Sequence, residues 1–561
     1  MNSFSKLIRN HLSLLFFVQT AYSQLLVTLN NPPFSVVGGH VKPSYSGKSY
    51  RAFYDIPYAE PPIADLRYKD PVPAKPWIGV KGNIGPLTVC SQETFPNTTI
   101  ISGTEDCLVI NVYTPSMTPG KKLPVLLWFH GGGFKSGSNF FVVGLVAGRY
   151  DPAYLMDEEI VVVSPNYRIG PLGFLTTKDN VIPTNLGLRD QRLAINWVKD
   201  NIDKFGGDPS DIVIAGESAG AVSVGYHLIA TYKELPITGA ILISGSALCP
   251  WASHTKSRKN AFELARKLDH TFKSNRSEDL LKLLQSATPE QILARTGFRQ
   301  SQGAQSFNGA LTLAWVPTLG KGDDFSLPQT DAVDNGKFKK VPMLIGFNDE
   351  EGVNPYISGN YLQKSTAWEK DPSNMLFENI RVPRTKRKEF GQKLKSFYTN
   401  TSFVTDARSV IKICSDFALA MPTIRFAESA SKHAQVYMFL TSQTFQPHPL
   451  AAVSGIEGVG HGEDLYYYWF NPLVTTSPGF EPMRSRMVKM ISNFVKHKKP
   501  IPDAATKELF DNIEWPVVKP GRIPYVPVSS KTLEVQYNPR NYKKIKQVVD
   551  SYLTKPVTVY I

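Results

Sequence analysis

The run Gly216-Glu217-Ser218-Ala219-Gly220 sets a serine between two glycines, each separated from it by a single residue. It follows the β-rich Ile212-Val213-Ile214-Ala215 directly and precedes the helix-compatible stretch from Ala221 to Ala230. Such a pattern alone arises by chance. Between a strand and a helix it describes a tight turn that exposes a nucleophilic hydroxyl and aims a helix N-terminus at the reacting carbonyl. The chemistry implied is acyl transfer on Ser218.

A second cluster, His130-Gly131-Gly132-Gly133-Phe134, comes right after the apolar run Val125 to Phe129. Glycines at that place let peptide N–H groups approach a substrate with no Cβ in the way. The amides of Gly132 and Gly133, with that of Ala219, are expected to hold the negative oxygen of a tetrahedral intermediate. A phosphate-binding loop is the competing reading. It lacks both the lysine-serine pair and the Gly-x-Gly-x-x-Gly spacing that phosphate cradles use.

A serine nucleophile needs a base and an acid to orient that base, in the chain order serine, acid, histidine for a strand-turn-helix serine of this kind. Spacing does not choose them among ten histidines and many carboxylates. His130 and His227 flank the two motifs and read as structural.

The elements around these motifs recur as short apolar runs: Val125 to Phe129, Ile160 to Ser164, Ile212 to Ala215, Ala240 to Ser244, Val341 to Phe347 and Val436 to Leu440. They lack polar alternation, as parallel strands covered on both faces do. Asp190 to Phe205 reads as a helix between two of them. The expected fold is therefore α/β, the α/β-hydrolase fold, with a mostly parallel central sheet flanked by helices in one large domain over residues 24–561.

At this point the chain resembles the type-B carboxylesterase and cholinesterase family. Phe205 to Pro209 running into Gly216 to Gly220 is similar to the family's serine signature, and Glu105 to Val112 to its second signature, with Val109 a mild departure. Further matches are Ile56 to Pro62, Asn166 to Leu175 and Asn185 to Gln191, so that the resemblance spans roughly residues 25 to 540. It implies that Glu351, in Gly346-Phe347-Asn348-Asp349-Glu350-Glu351-Gly352, is the acid, with Asp349 and Glu350 the nearest wrong choices. It implies that His461, in Gly458-Val459-Gly460-His461-Gly462, is the base, and that Trp251 lines the acyl side of the substrate pocket. The activity implied is hydrolysis of carboxylic esters without metal or cofactor. The alternatives are a cholinesterase-like adhesion protein, whose usual mark is a broken triad, and a lipase on the same fold.

The four cysteines are too few for a disulfide scaffold. Cys90 and Cys107 are the expected bridge, being close in sequence and matching the family's N-terminal disulfide. Cys249 and Cys414 are expected to be buried thiols, since no later cysteine exists to pair Cys414 as in cholinesterases.

Residues 1–23 read as a secretory signal, with Lys6 and Arg9, the apolar stretch Leu12 to Val18, and Ala21-Tyr22-Ser23 before a cut at Gln24. The apolar stretch is far short of the roughly 20 residues a membrane span needs. Three N-x-S/T triplets, at Asn97, Asn275 and Asn400, are expected glycosylation acceptors of a secreted protein. No retention tetrapeptide or lipid-anchor tail closes the sequence. The composition, 42% hydrophobic and 20% charged, is that of a globular chain. The net charge of +14 is spread over several clusters, of which Arg384 to Lys388 and Lys543 to Lys546 read as solvated surface, and no nucleic-acid motif accompanies it.

Overall fold

In the computed structural model, residues 26–82, 88–93, 101–116, 118, 120–142, 148–230, 235–296, 313–320, 329–353, 361–377, 379–443, 457–471, 479–555, 557, 559 and 560 are described. The expected signal and cut site (residues 1–24) and the acceptor Asn97 lie outside them.

The frame is an eleven-stranded sheet. In chain order its strands are β1 His40–Pro43, β2 Ser49–Pro57, β3 Val109–Thr114, β4 Leu123–Phe129, β5 Val161–Pro165, β6 Gly207–Glu217, β7 Gly239–Ile243, β8 Met343–Asn348, β9 Val436–Thr441, β10 Pro524–Val528 and β11 Gln536–Tyr537. The spatial order is β11-β10-β9-β8-β7-β6-β4-β5-β3-β2-β1. From β5 through β10 all neighbours are parallel, and the strands beyond them at either edge pair antiparallel.

The apolar runs stay strands because both of their faces are covered. Along β4, Val125, Leu127 and Phe129 enter one core while Leu126 and Trp128 enter the other. On β6, Ile212 and Ile214 part in the same way from Val213 and Ala215. Period-two alternation is present geometrically, but both sets are apolar. Helices α1 Leu186–Asn201 and α2 Ala219–Ile229 cover the first face, and α3 Phe480–His497 covers the second with Met483, Met487, Met490 and Phe494.

The boundaries shift modestly from those expected. Helix α1 starts at Leu186 and ends at Asn201, and Ile202–Phe205 continues it as a 3-10 turn that stops at Gly206, in the left-handed region at φ 80°. The strand expected from Val341 opens at Met343, because Val341 is still in the approach from the preceding turn. The antiparallel strands β1 to β3 and the late strand β10 were not among the apolar runs read from the sequence. Helix α4, Tyr542–Tyr552, packs Tyr542, Ile545 and Val549 into the first core.

Candidate active site

Strand β6 ends at Glu217 and α2 begins at Ala219, so Ser218 alone makes the turn. Its backbone has φ 56° and ψ −121°, a conformation that costs energy for any residue with a Cβ. The surroundings enforce it. The Ser218 N–H donates to the Ile243 carbonyl at the end of β7 (2.9 Å), and the Ser218 carbonyl accepts from the Val222 N–H (3.0 Å). A Cβ on Gly216 would stand 2.4 Å from the Gly220 carbonyl carbon, and one on Gly220 would stand 2.0 Å from the Phe129 oxygen. Glycine is obligatory at both positions, Gly216 because the start of α2 folds back on it and Gly220 because it is pressed against the end of β4.

That same end of β4 leads into the glycine run. Gly132 (φ 106°) and Gly133 (φ 62°) hold positive dihedrals. A Cβ on Gly132 would meet the Ser136 carbonyl oxygen at 2.0 Å, and one on Gly131 would meet a Glu217 carboxylate oxygen at 2.5 Å. The loop and the serine turn are thus in contact, with Gly131 pressed against Glu217 and Ser218.

The ring of His461 spans the serine and the acid. Its Nε2 lies 2.8 Å from Ser218 Oγ and its Nδ1 lies 2.7 Å from Glu351 Oε2. With the proton on Nδ1, the imidazole donates to the carboxylate and accepts from the hydroxyl. Glu351 is fully buried and its other oxygen accepts from the Asn348 N–H at 2.8 Å.

Two residues passed over in the sequence complete the electrostatics. Glu217 Oε1 lies 3.3 Å from the same His461 Nε2, and Asp464 is buried close by, accepting from Asn348 Nδ2 (2.9 Å) and from the Tyr468 hydroxyl (2.5 Å). Burial works against an imidazolium, but Glu217, Glu351 and Asp464 outweigh it and hold the His461 ring up to about 9. Burial likewise pushes the Glu217 carboxyl up to about 8, against the pull of His461. One proton is therefore in competition between the two groups.

Asp349 and Glu350, the neighbours of the acid, fasten the histidine segment. Asp349 Oδ1 accepts from the Val459 N–H at 2.6 Å, and the Glu350 N–H donates to the Val459 carbonyl at 3.1 Å. Asn348 adds a bond from Nδ2 to the Gly460 carbonyl at 2.9 Å. From the other side, Arg540 donates to the Asp349 carbonyl and to the buried Asp416 carboxylate. These contacts cross more than a hundred residues of sequence, so no local pattern advertises them.

The other expected positions fall as follows. Trp251 is buried, donates its indole N–H to the Ala418 carbonyl (2.9 Å) and has its ring 6.4 Å from that of Phe134 in the glycine loop. His130 is stacked on Tyr167 with ring centres 4.3 Å apart, and burial lowers its ring to about 4. His227 faces Gln191 Oε1 at 2.9 Å and burial lowers its ring to about 3, so both of these histidines sit neutral in structural roles. Cys90 and Cys107 form a disulfide, and Cys249 and Cys414 are buried thiols. Asn275 and Asn400 are exposed. Among the described residues no helix is long and apolar enough to cross a membrane.

Comparison with known proteins places nearly the whole chain in one family. A model of the carboxylesterase family matches residues 24–546. The chain is 29% identical over 514 residues to venom carboxylesterase-6 of Apis mellifera, covering 86% of this chain and 87% of that one. It is 29% identical over 488 residues to a carboxylic ester hydrolase of Bombus ignitus, covering 83% and 84%. It is 31% identical over 488 residues to a cholinesterase of Mus musculus, covering 81% and 76%.

Proposed function

The chain belongs to the carboxylesterase family and is a carboxylic ester hydrolase, and from that premise we propose that it works through an acyl-enzyme on Ser218. The observation that carries this reading is the single imidazole of His461 bridging Ser218 Oγ at 2.8 Å and Glu351 at 2.7 Å.

In the proposed cycle the Ser218 oxygen attacks the ester carbonyl as its proton passes to His461 Nε2. The carbonyl oxygen takes up negative charge against the amides of Gly132, Gly133 and Ala219, with the N-terminus of α2 behind them. Collapse expels the alcohol, which leaves with the proton from His461. Water then gives a proton to the same nitrogen and attacks the acyl carbon, releasing the acid and restoring the serine. Glu351 keeps the ring oriented and offsets its transient positive charge. The base must be neutral to begin. When Glu217 takes the shared proton, its own attraction for the imidazolium disappears and a neutral His461 is supplied.

Trp251, beside the glycine loop, is assigned to the acyl side of the pocket. Residues 1–23 are proposed as a cleaved secretory signal and residues 24–561 as the hydrolase domain. The Cys90–Cys107 bridge supports export, because such bonds persist in oxidising compartments. Exposed Asn275 and Asn400, together with Asn97, are the proposed glycan acceptors. Sequencing the N-terminus of protein collected from a secreting cell tests the cut before Gln24, and a mass shift on glycosidase treatment tests the acceptors.

Labelling with a fluorophosphonate tests the nucleophile. The probe should attach to Ser218 and nowhere in Ser218→Ala, and the labelled enzyme should lose turnover of a p-nitrophenyl ester. A folded protein that stays unlabelled fits a non-catalytic binding protein and overturns the reading.

A further inference from the structure

Lys135 lies two residues past Gly133, in the run Gly131-Gly132-Gly133-Phe134-Lys135-Ser136-Gly137. Its N–H donates to the Gly132 carbonyl at 3.2 Å, and the Ser136 N–H donates to the same oxygen at 3.1 Å. The chain therefore curls back immediately after the proposed oxyanion donors. Phe134 goes into the core, packed against Phe174 at 4.9 Å. Lys135 does not follow it and is only part-buried.

Where it goes is fixed by Gly133. Among the described residues, a Cβ built on Gly133 would have two neighbours within 4 Å: Leu313 Cδ1 at 3.5 Å and Lys135 Cε at 3.9 Å. The ammonium is one C–N bond of about 1.5 Å further on, so it stands within about 5.5 Å of that point. The Lys135 side chain thus folds back to within reach of the glycine whose amide is assigned to the oxyanion, with the Leu313 methyl beside the same point. Among the described residues Glu93 acts on it as a negative charge, and the Glu93 carboxylate also accepts the Thr296 hydroxyl at 3.1 Å. Burial pushes the Lys135 ammonium down to about 7, with Glu93 opposing.

We propose that Lys135 is a specificity-determining residue that favours esters carrying an anionic group, a carboxylate or a phosphate, a few bonds from the scissile carbonyl, and disfavours esters of cationic alcohols. The inference rests on the acyl-enzyme reading above and adds a substrate class to it. A cation at this range attracts an anion and repels another cation, and the part-buried setting weakens the screening that water would supply. An amine that titrates near neutrality makes the preference strongest on the acid side of neutral pH and lets it fade as the pH rises.

Matched esters test it. On the acyl side, the p-nitrophenyl ester of valeric acid is compared with the p-nitrophenyl monoester of glutaric acid, whose free carboxylate is ionised throughout. On the alcohol side, choline acetate is compared with its neutral isostere 3,3-dimethylbutyl acetate and with the acetate of a hydroxy-carboxylate. The readout is the ratio of kcat/KM for each charged ester to that for its neutral partner. In Lys135→Met the anionic-to-neutral ratio should fall about 10-fold in at least one arm, and in Lys135→Glu it should fall further while the choline ratio rises. Lys135→Arg should restore the anionic preference. The anionic ratio should decline between about pH 6 and pH 9 more steeply in the wild type than in Lys135→Met, the decline common to both being that of Glu217 and His461. Ratios in Lys135→Met equal to those of the wild type in both arms overturn the proposal. Failure of the underlying reading is distinguishable, because then the wild type would hydrolyse none of the neutral esters and Ser218 would not take up the fluorophosphonate.

Discussion

The carboxylate of Glu217 lies 3.3 Å from His461 Nε2, the ring nitrogen that also faces the Ser218 hydroxyl at 2.8 Å. Its charge favours the imidazolium, and the proposed base works as the free imidazole. Glu217→Gln removes that charge and keeps the shape. The acid limb of the kcat/KM profile should then move to lower pH by about one unit. A limb that stays in place would show that Glu217 does not set the proton affinity of His461.

Asn348 joins the proposed acid to the histidine segment: its N–H holds Glu351 and its side chain holds the Gly460 carbonyl and Asp464. Asn348→Ala keeps the backbone bond to Glu351 but frees the Gly460 carbonyl and Asp464, so it should loosen the His461 segment and lower kcat about 10- to 100-fold, with KM changed little, since no substrate contact is removed. A rise in KM with unchanged kcat would place Asn348 in substrate binding instead.

Gly132→Ala inserts a methyl where the Ser136 carbonyl oxygen stands 2.0 Å away. The loop must shift, and losing one aligned oxyanion donor lowers kcat by about 100-fold or more. Steady-state kinetics on a neutral p-nitrophenyl ester, with circular dichroism as the check on folding, measures this.

Stability should depend on pH in a definite direction. The folded state holds the proton shared by Glu217 and His461 to above neutrality, and protons on Asp349 and Asp464 up to about 6. Each of these values is raised above that of the unfolded chain, so each group's contribution is fully present below its unfolded pKa and is lost as pH rises through its folded one. Lys135, His130 and His227 are lowered and act in the opposite sense, so the share of Glu217 is read as the difference in melting temperature, wild type minus Glu217→Gln, which should fall between about pH 6 and pH 9. A difference that rises over that window would contradict the assignment of Glu217 as raised.

The bridge between Cys90 and Cys107 closes a sequence separation of 17. Replacing both cysteines by serine should lower the unfolding free energy by about 3 kcal/mol, measured by urea titration, if the bond acts mainly on the unfolded chain.

The parallel strands and the serine turn were legible because each is a local pattern: an apolar run that needs covering on both faces, or two glycines that a sharp turn demands. Glu351 and His461 were readable through the family resemblance, since chemistry required an acid and a base but nothing local distinguished Glu351 from Asp349 or Glu350. The structure gives those two neighbours a different task, gripping Val459. Strand β1 escaped the apolar-run reading because an edge strand keeps polar and exposed positions, as in His40–Pro43 with Val41 facing solvent, and β3 because its buried run is interrupted by Asn111. Asp464 and Asn348 were illegible as partners because 116 residues separate them.

Arg540, fastened to the Asp349 carbonyl and to Asp416, ties the acid segment to the start of α4. This has a bearing on synthesis at the ribosome. A growing chain that has emerged as far as His461 already contains serine, acid and base, yet lacks the residue that secures the acid's loop from behind. A chain stopped short of residue 540 therefore holds Ser218, Glu351 and His461 without this tie, and its acid segment is left unsupported from that side.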